Sequence, residues 1–345
     1  MSVIAIHHRP NSFSTRWIEE CQRRGIEHRV VDVYGPDRAS QLKDIDGFLW
    51  HWAQHEPRDL IMAIPILRSL EERGVAVFPN HATCWHFDDK LAQSILLESI
   101  GAPCVSFRSF HRYKDVARWV KSAQWPQVFK LRRGAASLNV KLLHDSREAL
   151  KLARKMFAVG ITPIAGPFAD AKTKIRKQGG VGQLTSIAKR VPAGVMRVLK
   201  RKWATPRERD YFYVQEFLPD NTHDNRVIVI GDRLFAHRRA MRPGDFRASG
   251  SGLNDFNPDH VHPDCLTISR KIADRLGAQS LVLDFLLDPE GQPRILELSY
   301  ATIDNLVYQC EGYWDRAMQW HAGHFWPQDL ILDDLLERIE RKDSE

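Results

Sequence analysis

The chain has 345 residues, 43% hydrophobic and 27% charged. That is enough for two or three lobes with cores of their own, and it reads as soluble and globular. No apolar run is long enough to cross a bilayer, and five scattered cysteines without a CxxC pair fit a reducing cytoplasm better than a disulfide framework.

The net charge of +7 is concentrated: Ala171–Arg209 carries twelve Lys/Arg against one acid, Glu208, a local +11 that leaves the remainder at −4. Such an excess predicts a local anionic partner. Nucleic acid is not expected, because Trp203 is the only aromatic in the segment and a stacking platform interleaves several.

Met1–His7 reads as a first strand, not a signal peptide. A helix over about Ser14–Arg24, with serine available as its cap, leads to strands at 28–33 and 47–52. A helix near Pro57–Arg73 and a strand at 75–78 follow. This rhythm predicts a small open parallel sheet without the GxGxxG of a dinucleotide site. The loop His7–Ser12 lies at the carboxyl end of the first strand, where open sheets bind ligands; the plainer reading is an ordinary polar loop. His51 and His55 are four apart, but no third residue has zinc-ligand spacing. With His81 and His86 they read as structural or substrate-facing histidines.

Asp88-Asp89-Lys90 opens a helix, the acids suiting its N-terminus. Leu91, Ile95, Leu96 and Ile100 form its apolar side, and Gly101-Ala102-Pro103 stops it. Gln127–Leu131 is a strand containing Lys130, followed by the small-residue turn of Arg132–Val140. A lysine there supplies a point charge beside approachable backbone N–H groups, a phosphate-cradling arrangement, although it is not a Walker A loop. A helix from about Ser146 to Ala158 follows. Leu184, Ile187, Ala188 and Val191 have helical spacing inside the basic segment, up to Pro192 and Gly194. Tyr211–Pro219 is a buried strand ending in Gln215-Glu216-Phe217-Leu218. Asp224-Asn225-Arg226 leads into a hairpin that turns at Gly231-Asp232 and ends near Arg239. A loop at Phe246–Gly252, a helix near Pro263–Leu276 and a C-terminal helix over about Gln328–Arg341 complete the series.

The stretch Leu281–Tyr300 reads as a hairpin around Asp288-Pro289-Glu290-Gly291. Asp284 interrupts its first apolar strand and Glu297 its second. A carboxylate in an apolar strand is costly unless a cation pairs it. Two on facing strands can hold Mg²⁺, which takes oxygen ligands and shares them with phosphates. Taken alone, the stretch reads equally as an edge hairpin with two surface acids.

In this order the pieces resemble the ATP-grasp superfamily, in its glutathione synthetase and RimK-like branch, from about Phe78 to Ala301. The series is DDK, KLRRGAASLNV, VQEFL, DNR, a hairpin ending in arginine, FRASGSG, then Asp284 and Glu297. The resemblance implies an α/β (α+β) fold, an ATP-grasp module preceded by a small Rossmann-like parallel-sheet domain. Its divisions would be 1–86, 87–218 with a basic insertion at about 165–210, and 219–345 carrying the metal site.

It further implies ATP and Mg²⁺ as cofactors. Lys90, Lys130 and Ser137 would contact the phosphates, Lys130 also lying near adenine. Glu216, Phe217 and Leu218 would form the adenine hinge. Asp224 would lie near the ribose, with Asp220 or His223 as alternatives. Arg226, Arg239 and Lys130 would serve catalysis, the arginines facing the γ-phosphate or an acyl phosphate. Asp284 and Glu297 would hold the metal, with Ser299 standing where the family usually has asparagine; its hydroxyl can still offer an oxygen. The implied activity is ligation of a carboxylate to an amine or thiol through an acyl phosphate. The substrates would be anionic small molecules, peptides or saccharides. A kinase of a hydroxylated substrate and an inactive nucleotide-binding protein are the alternatives.

Overall fold

The structure is a computed structural model that describes residues 2–134, 139–163, 207–242, 244–248 and 250–344. Ser137 and all of the basic segment except Arg207, Glu208 and Arg209 lie outside the described residues, as does the helix expected at Leu184–Val191. The chain forms two compact units: Met1–Phe87 with Ala92–Cys104 and Leu218–Glu345, and Asp88–Leu91 with Val105–Phe217.

The first unit begins with a parallel sheet of β1 (Ile4–His7), β2 (His28–Val31), β3 (Gly47–Leu49) and β4 (Ala76–Phe78), in the order β2-β1-β3-β4. Helix Phe13–Arg24 joins β1 to β2, and helix Pro57–Glu72 joins β3 to β4. β1, β3 and β4 are short apolar runs because both faces are covered, whereas the edge strand β2 leaves Arg29 and Val30 exposed. β3 is shorter than its apolar run: beyond Leu49 the backbone turns, Trp52 N–H donating to the Trp50 carbonyl at 3.0 Å. The serine expected to cap the first helix is at the cap position, Ser12, but its hydroxyl does not cap; it lies 3.2 Å from His51 Nδ1 instead. The C-terminal helix Pro327–Ser344 packs on this sheet. A Cβ on Gly47 would meet Leu335 and Ile339 at 3.2 and 3.0 Å, Arg16 grips Asp329 through two 2.6 Å bonds, and Trp17 donates to the Gln328 carbonyl.

The second unit is built on an antiparallel sheet of β5 (Phe107–Phe110), β6 (Gln127–Phe129), β7 (Lys141–Leu143) and β8 (Phe212–Glu216), in the order β5-β8-β6-β7. Helices Tyr113–Trp119 and Ser146–Ala158 cover it, with Phe129, Phe212, Ala153 and Met156 fully buried among them. Lys130 falls just past the end of β6 rather than inside it, its N–H still reaching the Tyr213 carbonyl at 3.3 Å.

The first unit also holds the large sheet. Its strands are β9 (His223–Ile230), β10 (Arg233–Ala240), β11 (Asn254–Asp255), β12 (Ser280–Leu287), β13 (Pro293–Ser299), β14 (Gly312–Trp314) and β15 (Trp320–Ala322), in the order β13-β12-β9-β10-β14-β15 with β11 beside β10. Gly231 makes the two-residue β9–β10 turn at φ 53°, and a Cβ there would collide with the Asp334 carboxylate at 2.2 Å. One face of this sheet packs Val227, Val229, Leu234, Leu281 and Leu283 against helix Pro263–Leu276. On the other face Ile228, Ile230, Phe235 and Val282 join the core of the parallel sheet.

Candidate functional site

That second face changes character along its strands. Side chains two apart share a face, so Ile230 and Ile228 are followed on β9 by Arg226 and Asp224. On β10 Phe235 is followed by His237 and Arg239, and on β12 Ser280 and Val282 by Asp284. Register aligns them: Asp224 faces Arg239, Arg226 faces His237 and also Asp284, and Asp284 faces Glu297. The register slips between Asp284 and Phe285, where Leu296 is the extra residue of a bulge. A bulge re-aims a side chain, and it brings Glu297 directly opposite Asp284.

The Arg226 guanidinium grips both Asp284 oxygens at 2.7 and 2.9 Å. Arg239 grips Asp224 through Nε at 2.8 Å and through Nη2, and Nη2 also reaches Asp284 Oδ2 at 2.7 Å. Asp224, Arg239 and Asp284 are buried. Burial opposes the Asp284 charge, but Arg226 and Arg239 outweigh it and hold the carboxyl well below the usual carboxylate range. Burial also opposes the Arg239 charge, but Asp284 and Asp224 keep it firmly protonated. Burial pushes Asp224 up to about 6 against the pull of Arg239, with Asp284 adding to the push. Such forked pairs are worth keeping in a low-dielectric site because they fix geometry.

Among the described residues, no group of three or more His, Cys, Asp or Glu could form a metal cage. Mg²⁺ rarely asks for one; it usually takes one or two carboxylates plus waters and substrate phosphates. Asp284 Oδ2 accepts two bonds while Oδ1 accepts one, so Oδ1 retains acceptor capacity. The donor set fits Mg²⁺ delivered with phosphate. Ser299 Oγ donates to the Ala301 carbonyl at 2.9 Å and accepts its N–H at 3.1 Å, which leaves one lone pair.

Helix Lys90–Ser99 begins at the expected lysine, and its first residues, Lys90 and Leu91, belong to the second unit. Lys90 Nζ donates to the Gly134 carbonyl at 2.7 Å, its N–H donates to the Arg132 carbonyl, and Asp88 Oδ1 accepts the Gly134 N–H at 3.0 Å. Lys90 and Lys130 are both buried. Arg132 lies 3.4 Å from Asp89 and 3.5 Å from Glu208, and its N–H donates to Tyr211 Oη at 2.7 Å. Glu216 ends β8 exposed, its N–H on the Ser106 carbonyl at 2.8 Å. The second unit ends at Phe217, and the first resumes at Leu218.

Sequence reasoning read Asp88 only as an acid at a helix N-terminus, and it did not find the roles of Tyr211, the Arg238–Asp255 pair at 2.7 Å, or His237. The His237 imidazole is buried without a hydrogen-bond partner for either nitrogen and lies 5.2 Å from the Phe256 ring. Burial, with Arg226 and Arg239 adding to it, holds His237 down to about 3. The only available signal was a histidine alternating with arginine in an otherwise apolar strand.

No family model matches the sequence, and no curated protein does. Solved structures do. A RimK domain ATP-grasp protein from Sphaerobacter thermophilus is 15% identical, with 97% of this chain and 100% of that one covered at TM-score 0.54. The ATP-grasp ligase PsnB complexed with minimal precursor is 16% identical over 98% of each chain at 0.56. D-alanine–D-alanine ligase from Bacillus anthracis, complexed with ATP, is 11% identical over 99% of each chain at 0.58. Chains this different in sequence share a backbone arrangement with it from end to end: the protein has the ATP-grasp fold, preceded by a small parallel-sheet domain.

Proposed function

We propose that the protein is an ATP-dependent ligase that activates a carboxylate as an acyl phosphate and passes the acyl group to an amine, releasing ADP and phosphate. One observation carries the reading: Asp284 and Glu297 are paired across a bulged hairpin, with two guanidiniums, the half-buried Arg226 and the buried Arg239, held in place beside them. Phosphoryl transfer needs positioned positive charge and little else. Arg239 and Arg226 would stabilise charge on the transferring group, and because their forks are already paired they need no reorganisation to do so. Asp284, through Oδ1, and Glu297 would hold Mg²⁺, with Ser299 Oγ as a further oxygen; the ion supplies charge neutralisation at the phosphates. Lys90 and Lys130 would bind nucleotide phosphates, with Ser137, seven residues after Lys130 in the sequence, and Glu216–Leu218 would grip the adenine. Asp224, buried on Arg239, acts on this reading as a strut for the guanidinium; Asp220 or His223 would approach the ribose.

The fold neighbours support the reading, since PsnB and D-alanine–D-alanine ligase are ligases. That PsnB is complexed with a precursor peptide supports including peptides among candidate acids. The domain division proposed from sequence, and a cytoplasmic location, go with the same reading; no helix among the described residues is long and apolar enough to cross a membrane. The test is incubation with ATP, Mg²⁺ and a panel of acids and amines, read by mass spectrometry. ADP formed together with an amide adduct is the expected result. A phosphorylated hydroxyl product would make the protein a kinase, and no ADP with any pair would overturn the reading.

A further inference from the structure

The parallel sheet has its own topological break. The chain leaves β1 toward β2 on one side and leaves β3 toward β4 on the other. Right-handed crossovers in opposite directions place the two helices on opposite faces. The loops after β1 and β3 therefore part, and a crevice opens at the carboxyl ends of these strands, the position where open sheets bind ligands.

Three loops meet there on one buried carboxylate, Asp59, 1% exposed in the first turn of helix Pro57–Glu72. Its Oδ2 accepts the Ala53 N–H at 2.7 Å and Arg9 Nη1 at 3.3 Å, and its Oδ1 accepts the Tyr34 hydroxyl. Arg9 Nη2 donates to the His51 carbonyl at 3.2 Å. The Arg9 backbone is closed on Ser14, whose hydroxyl accepts its N–H and donates to its carbonyl. This is a guanidinium locked by its neighbours, with 28% of its side chain still exposed. Nε has no acceptor among the described residues.

His51 adds a second donor. Its Nδ1 accepts the Phe13 N–H at 3.5 Å and lies 3.2 Å from the Ser12 hydroxyl, which puts the ring proton on Nε2. Burial, with Arg9 and His55 adding to it, holds the imidazole neutral, down to about 3. Nε2–H also has no acceptor among the described residues. The Asp59 carboxylate and the His51 carbonyl are thus satisfied while two donors, one charged, are not, and a group that would complete them is an anion with paired oxygens. Tyr300 ties the crevice to the carboxylate hairpin. Its hydroxyl donates to the Trp52 carbonyl at 2.6 Å, its ring lies 6.4 Å from His51, and it stands three residues beyond Glu297, roughly 10 Å of extended chain.

We propose that this crevice binds a carboxylate of the substrate, held by Arg9 and His51. That the bound acid is the one activated rests on the ligase reading above; that the crevice takes a carboxylate does not. The experiment therefore omits nucleotide. Glutarate and L-glutamate are titrated into the full chain, read by saturation-transfer NMR, with sodium chloride at matched ionic strength and inorganic phosphate as comparators. Saturable binding of the two acids is expected, weakened roughly tenfold or more in the Arg9→Gln/Asp59→Asn double variant, which removes both charges and keeps a hydrogen-bonded pair. His51→Leu, which keeps the apolar contact with Phe13, should weaken it several-fold without touching Arg9. No saturable binding, or binding that both variants leave unchanged, overturns the proposal. Phosphate binding more tightly than either acid, and lost in the double variant, overturns the assignment to carboxylate. Failure of ATP turnover with acid binding intact would strike the ligase reading alone.

Discussion

The large sheet places Asp224, Arg226, Arg239, Asp284 and Glu297 by strand alternation and register, so each is held by a backbone ladder, Arg226, Arg239 and Asp284 by one on either side. In the second unit, Lys130 stands just past a strand and Lys90 at the start of a helix, and what joins them is loop backbone: the carbonyls of Arg132 and Gly134 and the Asp88 side chain. On the proposed reading the first arrangement couples function to stability, because its charges hold one another inside the sheet. The second ties charge to a flexible stem and a loop, where on that reading a substitution would disturb nucleotide contacts more than the core. The difference is one of chemistry as well as placement. Arginine forks hold a fixed geometry, while an ammonium is a compact charge that follows its phosphate.

The sharpest way to break this contrast is Asp284→Ala. It strands two guanidiniums in the sheet and should cost about 3–5 kcal/mol of stability, measured by urea unfolding. The milder Asp284→Asn keeps some hydrogen bonds and should still lower ATP turnover about 100-fold or more. An Asp284→Ala protein as stable as the parent would mean the array is not held by its charges.

Lys130→Ala is the counterpart in the second unit. Losing a charged contact to phosphate should weaken a non-hydrolysable ATP analogue about 10–100-fold, measured by calorimetry, with a smaller stability loss than Asp284→Ala. Equal stability losses would erase the distinction between ladder-held and loop-held charge.

Acid sharpens it further. His51, His86 and His237 are held down to about 3, 4 and 3, chiefly by burial. An unfolded histidine titrates near 6.5, so below that pH the unfolded chain binds more protons than the native one. Stability should be full above about 6.5 and fall as pH drops toward these lower values, by up to roughly 1.4 kcal/mol per pH unit for each histidine. His237→Leu should flatten the slope by about one proton; an unchanged slope would show that His237 titrates normally.

The smallest effect belongs to Ser299→Asn. Asparagine can make the same turn to Ala301 that the serine hydroxyl makes, so stability should stay within about 0.5 kcal/mol and turnover should persist. A folded but inactive variant would show that the serine hydroxyl itself is needed.

Much of this was legible in the sequence because it depends on short-range pattern. The parallel βαβ opening and the Gly231-Asp232 hairpin follow from periodicity and turn chemistry. So do the acids of Leu281–Tyr300, since a carboxylate in an apolar strand is conspicuous. The loop His7–Ser12 was legible as a polar loop at the carboxyl end of a strand, where open sheets bind ligands, but its partners Tyr34, His51 and Asp59 were not, because they lie in other connections of the chain. Asp88 looked like an N-terminal helix acid and turned out to hold the Gly134 backbone.

The sequence by itself therefore determined which strands carry charge and which helices bury which stripe, since alternation and 3.6-residue periodicity act within one element. Tertiary structure alone decided that Arg239 bridges two carboxylates and that Glu297 faces Asp284 across a one-residue bulge. It also decided that Ser12 turns to His51 instead of capping its helix, and that the C-terminal helix closes over Gly47 near the start of the chain. These depend on register, on loops that meet only when the chain is compact, and on buried polar groups that must find a partner wherever the fold supplies one.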